Sequence, residues 1–478
     1  MIRFRLTFLV PGLAALALFA GACSPRSNRH SNGTGTAGNP GTDGSPIGGR
    51  GDDGGDDGGD DGGVGGETAA GNGGHSGGGG AAGEETGGSP GTEGPAGTGG
   101  SAGNLGTSGA PAGRAGSASG GTGGRAISFA PAVAYDARAP QFVTLADFNK
   151  DGKLDAATVS FFGDASVLLG NGNGAFQAER TFTSTASVPG TAIVAADFDD
   201  DGNPDIGFSM QGYGFGTLLG NGDGTFRSFT HRLHGSTEGG LGVADLNDDG
   251  KLDVVMAFPR RPGDVAGAYV TLGNGDGTFQ DERAVYSAPS TYAGLVLVDV
   301  NKDGRLDIVT SGGGLVSVLL GNGDGTFPFT GTDFPVASGT LIRALAVGDL
   351  NGDGALDVVA PDSEGSTLSV FLGTGDGTLL AAKQFPCGYN PADIKVADLN
   401  LDGLPDIVTT NDSGPGNAGT VAVLAGNGDG TFVPYVAFGT GIGPQSVSIG
   451  DLDGDTLPDL VVANKNDGTV SVLLNTSH

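Results

Sequence analysis

From Ala126 to His478 the chain alternates between short apolar runs and acidic loops, always in the same internal order. Ser446-Val447-Ser448-Ile449 leads into one such loop, and Leu460-Val461-Val462-Ala463 leads out of it. An alternating segment follows, Thr469-Val470-Ser471-Val472-Leu473-Leu474. Short β-branched runs of this kind predict strands rather than helices. In six of the units a turn comes next, most often Gly-Asn-Gly-Asp-Gly-Thr-Phe as at Gly321–Phe327. Its Asn-Gly and Asp-Gly steps favour positive φ and close tight hairpins. A last short segment, for example Val433 to Phe438, completes a unit of four strands.

The acidic loop sets the count. Asp-Φ-Asn/Asp-x-Asp-Gly-x-Φ/Pro-Asp recurs seven times, beginning at Asp147, Asp197, Asp245, Asp299, Asp349, Asp398 and Asp451. The spacings are 50, 48, 54, 50, 49 and 53 residues. Four strands in about 50 residues is the size of a propeller blade, so the predicted fold is an all-β, seven-bladed β-propeller. A β-helix of calcium-binding repeats would recur every nine residues or so, and helix-flanked calcium loops would not carry β-branched flanks such as Asp253-Val254-Val255 or Asp307-Ile308-Val309. The seventh unit stops at Leu474-Asn475, where its turn and fourth strand are due. Phe129-Ala130-Pro131-Ala132-Val133-Ala134-Tyr135 resembles Phe432-Val433-Pro434-Tyr435-Val436-Ala437-Phe438. The N-terminal segment is therefore expected to supply the missing strand and close the ring, removing two exposed faces.

Side chains at loop positions 1, 3, 5 and 9, with the carbonyl at position 7, can converge on one hard cation, and glycine at position 6 permits the sharp turn. The candidate ligands are Asp147, Asn149, Asp151 and Asp155 in the first loop and Asp197, Asp199, Asp201 and Asp205 in the second. Asp245, Asn247, Asp249 and Asp253 follow in the third, then Asp299, Asn301, Asp303 and Asp307 in the fourth. The fifth has Asp349, Asn351, Asp353 and Asp357, and the sixth Asp398, Asn400, Asp402 and Asp406. The seventh has Asp451, Asp453, Asp455 and Asp459. Oxygen donors in this number favour Ca2+ over zinc or copper, and magnesium demands a stricter octahedron. Five loops carry three carboxylates and two carry four, 23 of the chain's 54 acidic residues. Thr456 stands where the other loops have glycine. A β-branched residue tolerates positive φ poorly, so this loop is expected to be distorted or weak, giving six or seven ions in all. Carboxylates in the glycine-rich turns, such as Asp324, stand alone and are read as hairpin residues.

Taken together, loop and turn resemble the FG-GAP/VCBS-repeat proteins, whose blades are related to those of the integrin α-subunit propeller. The resemblance spans about residues 127–475 and implies a binding module built on the propeller.

Outside that region the pattern changes. Of the 97 glycines, 40 lie between Ser31 and Arg125, a stretch without one aromatic residue. Such a segment cannot bury enough apolar surface to offset its ordering entropy, so residues 23–125 are expected to form a disordered Gly/Asp/Ser-rich linker. Gly88 to Pro111 reads as Gly-X-Y triplets, but only Pro90, Pro95 and Pro111 supply imino acid, too little for a triple helix. Residues 1–22 read as a signal peptide: Arg3 and Arg5, then an apolar run from Leu6 to Ala20 broken by Pro11 and Gly12. Leu18-Phe19-Ala20-Gly21-Ala22-Cys23 resembles a bacterial lipobox, with Cys23 the residue lipidated after cleavage. The alternative is an ordinary signal cut near Ala22, which leaves a secreted protein. A lipid anchor places the protein in the cell envelope, at the outer membrane or cell surface, with the linker as tether.

The net charge of −31 excludes nucleic acid, and membrane contact other than through the anchor. With Cys23 consumed, Cys387 is the one thiol left, expected to be semi-buried at a blade edge and without a role. His231 and His234 lie i, i+3 in a predicted outer strand with no third ligand, and no nucleophile elbow, His-Glu-x-x-His pair or phosphate loop occurs in the folded region. The function expected is a monomeric, non-catalytic binding or adhesion module for a protein or glycan ligand on a propeller face. The alternatives are an envelope polysaccharide-active enzyme or a scaffold subunit.

Overall fold

The computed structural model describes residues 118–119, 126–184, 187–227, 229–231, 239–258, 267–287, 294–336 and 341–478. The signal segment 1–22, Cys23, nearly all of the linker and His234 lie outside these residues, and only the backbone of His231 lies within them.

Seven antiparallel sheets of four strands each follow one another along the chain, with no helix among the described residues. Blade 1 runs Pro140–Ala146, Asp155–Ser160, Ala165–Leu168 and Arg180–Phe182, each strand paired to the next. Blades 2 to 6 repeat this meander. Blade 7 takes Pro444–Gly450, Asp459–Asn464 and Thr469–Leu473 from the end of the chain, and its fourth strand, Val133–Asp136, from the beginning. The register pairs Val133 with Val472 and Asp136 with Thr469. A bridge between Phe129 and Asn475 and a hydrogen bond from Thr476 N–H to Ser128 O extend the clasp. The ring is closed as the repeat arithmetic requires.

The fourth strands start later than the sequence suggests. Blade 6 uses Val436–Ile442 and blade 7 Val133–Asp136, in both cases two residues past a proline. The same offset, four residues past the last residue of the turn, starts Arg180–Phe182, Arg283–Ser287 and Lys383–Pro386, where no proline intervenes.

Second strands are buried at every residue whose burial is described, all six of Asp155–Ser160 and of Asp459–Asn464 included. Their apolar side chains pack between blades rather than within them. Val408, Val421 and Val423 of blade 6 meet Val447, Leu460 and Val462 of blade 7. Val309 and Val318 of blade 4 likewise meet Val358 and Phe371 of blade 5. Each such side chain contributes about 1.5–3 kcal/mol by leaving water, so a blade is stable only beside its neighbours. Cys387 is fully buried, not semi-buried, and burial pushes its thiol up to about 12.

Candidate metal centres

Each acidic loop joins the first strand of a blade to the second, and its position-2 side chain is its anchor. Phe148, Phe198, Leu246, Val300, Leu350, Leu399 and Leu452 are all buried at this place. From that root the loop folds back on its first aspartate. Asp147 Oδ1 accepts from the N–H of Asp151 at 3.0 Å, and Oδ2 from Gly152 N–H at 2.8 Å. Asn149 Oδ1 accepts from Asp151 N–H at 2.9 Å, and Asp151 Oδ1 from Lys153 N–H at 3.1 Å. The first three predicted ligands are thus curled around one point by the loop's own amides.

Two residues in each loop are left-handed, where the sequence reading found one. Position 6 has φ between 75° and 85° in all seven loops. Position 4 is also positive, and in five loops it is not glycine: Lys150, Asp200, Asp248, Lys302 and Leu401. The seventh loop is not distorted, contrary to expectation. Thr456 takes φ 75°, and its N–H donates to Asp451 Oδ2 at 3.0 Å, as the glycine does elsewhere. The conformation costs roughly 1–3 kcal/mol, which the fixed surroundings sustain.

Position 9 carries a role that the sequence reading did not assign. Asp155 is fully buried; its Oδ2 accepts from Phe148 N–H at 2.9 Å and its Oδ1 from Gly170 N–H at 2.7 Å. The first donor lies in the acidic loop and the second opens the glycine-rich turn. Asp205, Asp253, Asp307, Asp357 and Asp406 make the same pair of bonds. Asp459 does so with Leu452 N–H and, since blade 7 has no such turn, with Asn475 N–H. Burial pushes these carboxyls up, against the two N–H groups, and the charges of two other aspartates of the same loop add to the rise. Asp155 and Asp357 reach about 6, and Asp205, Asp406 and Asp459 about 7. Position 3 varies between Asn and Asp while positions 1, 5 and 9 are Asp in all seven copies, so the sequence carries a signal that is not peculiar to position 9. An amide there would set an N–H donor against an N–H donor.

The glycine-rich turns are joints between blades. Gly224 N–H of blade 2 donates to Phe148 O in the loop of blade 1 at 3.1 Å, and Gly325 of blade 4 does the same to Leu246 O of blade 3. A Cβ on Gly325, at φ +74°, would sit 2.8 Å from Leu272 Cδ2 of the neighbouring blade, so only glycine fits. In blade 7 the Asn475 amide replaces the missing turn, donating from Nδ2 to Leu399 O of blade 6 at 2.7 Å.

Among the described residues, three carboxylates come within 4.8 Å of one another in two loops, the two with aspartate at position 3. These are Asp197, Asp199 and Asp201 in the second loop and Asp451, Asp453 and Asp459 in the seventh. Burial raises Asp197, and burial together with Asp455 and Asp451 raises Asp453. Asp199 Oδ1 is buried without a hydrogen-bond partner. An orphaned carboxylate oxygen among converging carboxylates is costly unless a cation satisfies it, and the donor set is all oxygen. These loops therefore fit a hard divalent cation. Asp324, in a turn, instead accepts from Thr326 N–H at 3.0 Å, and its hydroxyl and amide bonds hold it below the usual carboxylate range.

A family model for the FG-GAP-like repeat matches residues 147–208, 245–310, 299–360, 357–409 and 398–462, together more than half of the chain. No curated protein matches it. Among solved structures, BBS1N in complex with ARL6DN aligns with a TM-score of 0.50 at 10% identity, over 73% of this chain and 97% of that one. An Agrocybe aegerita lectin, described as recognising non-reducing terminal N-acetylglucosamine, aligns with a TM-score of 0.45 at 21% identity, over 68% and 86%. Identities this low speak to the fold alone.

Proposed function

The chain belongs to the FG-GAP-like repeat family, and on that premise we propose that it is a calcium-binding propeller serving as a non-catalytic binding or adhesion module outside the cell. The observation that carries the metal half of this reading is the buried, unpartnered Asp199 Oδ1 amid three converged carboxylates. When bound, calcium offsets the mutual repulsion of each loop's carboxylates and ties positions 1, 3 and 5 together. Extracellular calcium modules have dissociation constants of roughly 10⁻⁴ to 10⁻³ M. An ion held only by the folded state adds about 2.7 kcal/mol per site at a hundredfold excess over that constant. Thermal unfolding should therefore shift upward steadily with calcium and reverse with chelator, and native mass spectrometry should count about one ion per loop. No retained ions and no shift on chelation would refute the metal reading.

The ligand is a protein or glycan of the envelope, held on a propeller face, and a binding screen with calcium and with chelator tests it. The lipobox-like segment Leu18–Cys23 supports a further part of this proposal, lipidation at Cys23 and display on the cell envelope. Metabolic labelling with a lipid precursor should mark the wild type and not Cys23→Ser; equal release of both into the soluble fraction would sink the anchor.

A further inference from the structure

We propose that Arg227 is a resident cation of the second loop, bound to the same carboxylates that take calcium there, so that this loop fills last and the seventh fills first. The inference rests on the calcium reading above.

The second and seventh loops are matched in charge, with aspartate at positions 1, 3, 5 and 9 in both. They differ in what faces them. Arg227 follows the glycine-rich turn of blade 2, and its backbone N–H donates to Leu219 O at 2.8 Å, which fixes where the side chain starts. From there Nη1 reaches Asp199 Oδ2 at 2.8 Å and Nη2 reaches Asp201 Oδ2 at 2.8 Å. The equivalent residues of blades 1, 3, 4, 5 and 6 are Gln177, Gln280, Pro328, Leu380 and Val433, none of them cationic. Lys150, from position 4 of the first loop, adds a second positive charge nearby. Its Nζ lies 3.9 Å from where a Cβ on Gly202 would sit.

Which oxygens are taken decides the consequence. Asp201 Oδ1 already accepts from Asn203 N–H at 2.9 Å, so Oδ2 is the oxygen it has left for a cation. Arg227 holds that oxygen. At Asp199 the guanidinium takes Oδ2 and leaves only the buried Oδ1. A divalent ion entering this loop must displace at least one charge-assisted hydrogen bond, the strong kind, from a fork that stays protonated at any working pH. In the seventh loop Asp455 Oδ1 is committed in the same way, to Leu457 N–H at 2.8 Å. No basic side chain lies within ion-pair distance of Asp451, Asp453, Asp455 or Asp459 among the described residues. The other loops fall between. Their position-5 Oδ2 faces a neutral asparagine amide, as Asp303 faces Asn301 Nδ2 at 3.1 Å, or a lysine at 3.4 to 3.9 Å. The fork also braces positions 3 and 5 of the second loop without any ion, so blade 2 keeps its loop shaped at low calcium.

Hydrogen exchange read by mass spectrometry on the full chain, during a calcium titration, resolves the loops from one another. In the wild type, the peptide covering 197–205 should gain protection at about tenfold higher calcium than the peptide covering 451–459. Arg227→Gln should bring the two midpoints together, and Arg227→Lys, which keeps the charge but not the fork, should bring them only part of the way. Arg227 is half-exposed, so both variants are expected to fold. Equal midpoints in the wild type, or an unmoved second-loop midpoint in Arg227→Gln, overturn this proposal and leave the calcium reading standing. No protection in any loop, with no ions retained in native mass spectrometry, overturns both.

Discussion

Replacing Asp307 by alanine separates the two tasks that an acidic loop performs. Asp307 is fully buried, with Oδ2 accepting from Val300 N–H at 3.0 Å and Oδ1 from Gly321 N–H at 2.7 Å. Alanine leaves both donors buried without an acceptor. An unsatisfied buried donor costs about 1–3 kcal/mol, so the pair should cost about 2–6 kcal/mol whether or not calcium is present. Asparagine keeps one acceptor and should cost about half as much. Asp303, two positions before the turn of the same loop ends, is exposed; its Oδ1 accepts from Arg305 N–H at 2.9 Å beside water that can substitute. Asp303→Ala should therefore cost below ~1 kcal/mol in chelator, and in saturating calcium should lose in addition the ion's own contribution, ~2.7 kcal/mol at a hundredfold excess. Urea unfolding of wild type and both variants, in chelator and in millimolar calcium, reads all six values. If Asp307→Ala and Asp303→Ala are equally mild in chelator, position 9 is no more than a ligand and the joint argued above does not exist.

Three further outcomes follow from the same geometry. In chelator, acidification from pH 7.5 to about 5 should raise the melting temperature. Asp155, Asp205, Asp357, Asp406 and Asp459 titrate at about 6 to 7 when folded and near 3.9 when unfolded, so the folded state binds more protons across that window and its stability falls as pH rises. Calcium, which needs the ionised forms, should stabilise less at pH 5 than at pH 7.5, and a pH-independent calcium increment would contradict this. Deleting residues 127–135 removes the buried Ile127 and Phe129 and most of the fourth strand of blade 7, and should lower the melting temperature by several degrees, whereas deleting 31–117 should not. Gly325→Ala, which drives a Cβ into Leu272 at positive φ, should cost about 1–3 kcal/mol, while Asp324→Ala next to it should remove no ion from the native mass spectrum.

The ring was legible in the sequence because a blade is a local object. Strands such as Thr469–Leu473 pair with neighbours in the chain, and their alternation and turn residues declare themselves within ten residues. Even the exception was readable: the segment around Val133 carries the same pattern as Val436, so its distant partner could be named. What could not be read were bonds between loops and turns that meet only in the folded ring, within a blade or across two. That Gly325 donates to Leu246 O, one blade back, depends on how two separate meanders stack. That Asp253 holds both Leu246 N–H and Gly273 N–H depends on a turn twenty residues away. The Arg227 fork over Asp199 and Asp201 likewise follows from a turn that folds its flank back over the preceding loop.

Put in sequence around the face, these bonds make a hoop that runs through six of the seven junctions and is open between blades 4 and 5 among the described hydrogen bonds. Asp253 receives Leu246 N–H, Leu246 O receives Gly325 N–H, and Gly325 belongs to the turn whose Gly321 N–H is held by Asp307 of the next loop. Six acidic loops are in this way wired to their own turns through position 9 and the seventh to Asn475, and the described hydrogen bonds carry the connection on to the preceding blade at six junctions. A cation that tightens positions 1, 3 and 5 of one loop therefore acts on a backbone shared with its neighbour's turn. The loops are then not seven independent sites on a rigid ring. Filling one should firm the turn beside it, and an Asp307→Ala joint should weaken calcium protection in the third loop, which its turn touches, more than in the seventh, across the ring. Hydrogen exchange at residues 245–253 and 451–459 in that variant makes the comparison, and equal losses in both would leave the hoop without mechanical meaning.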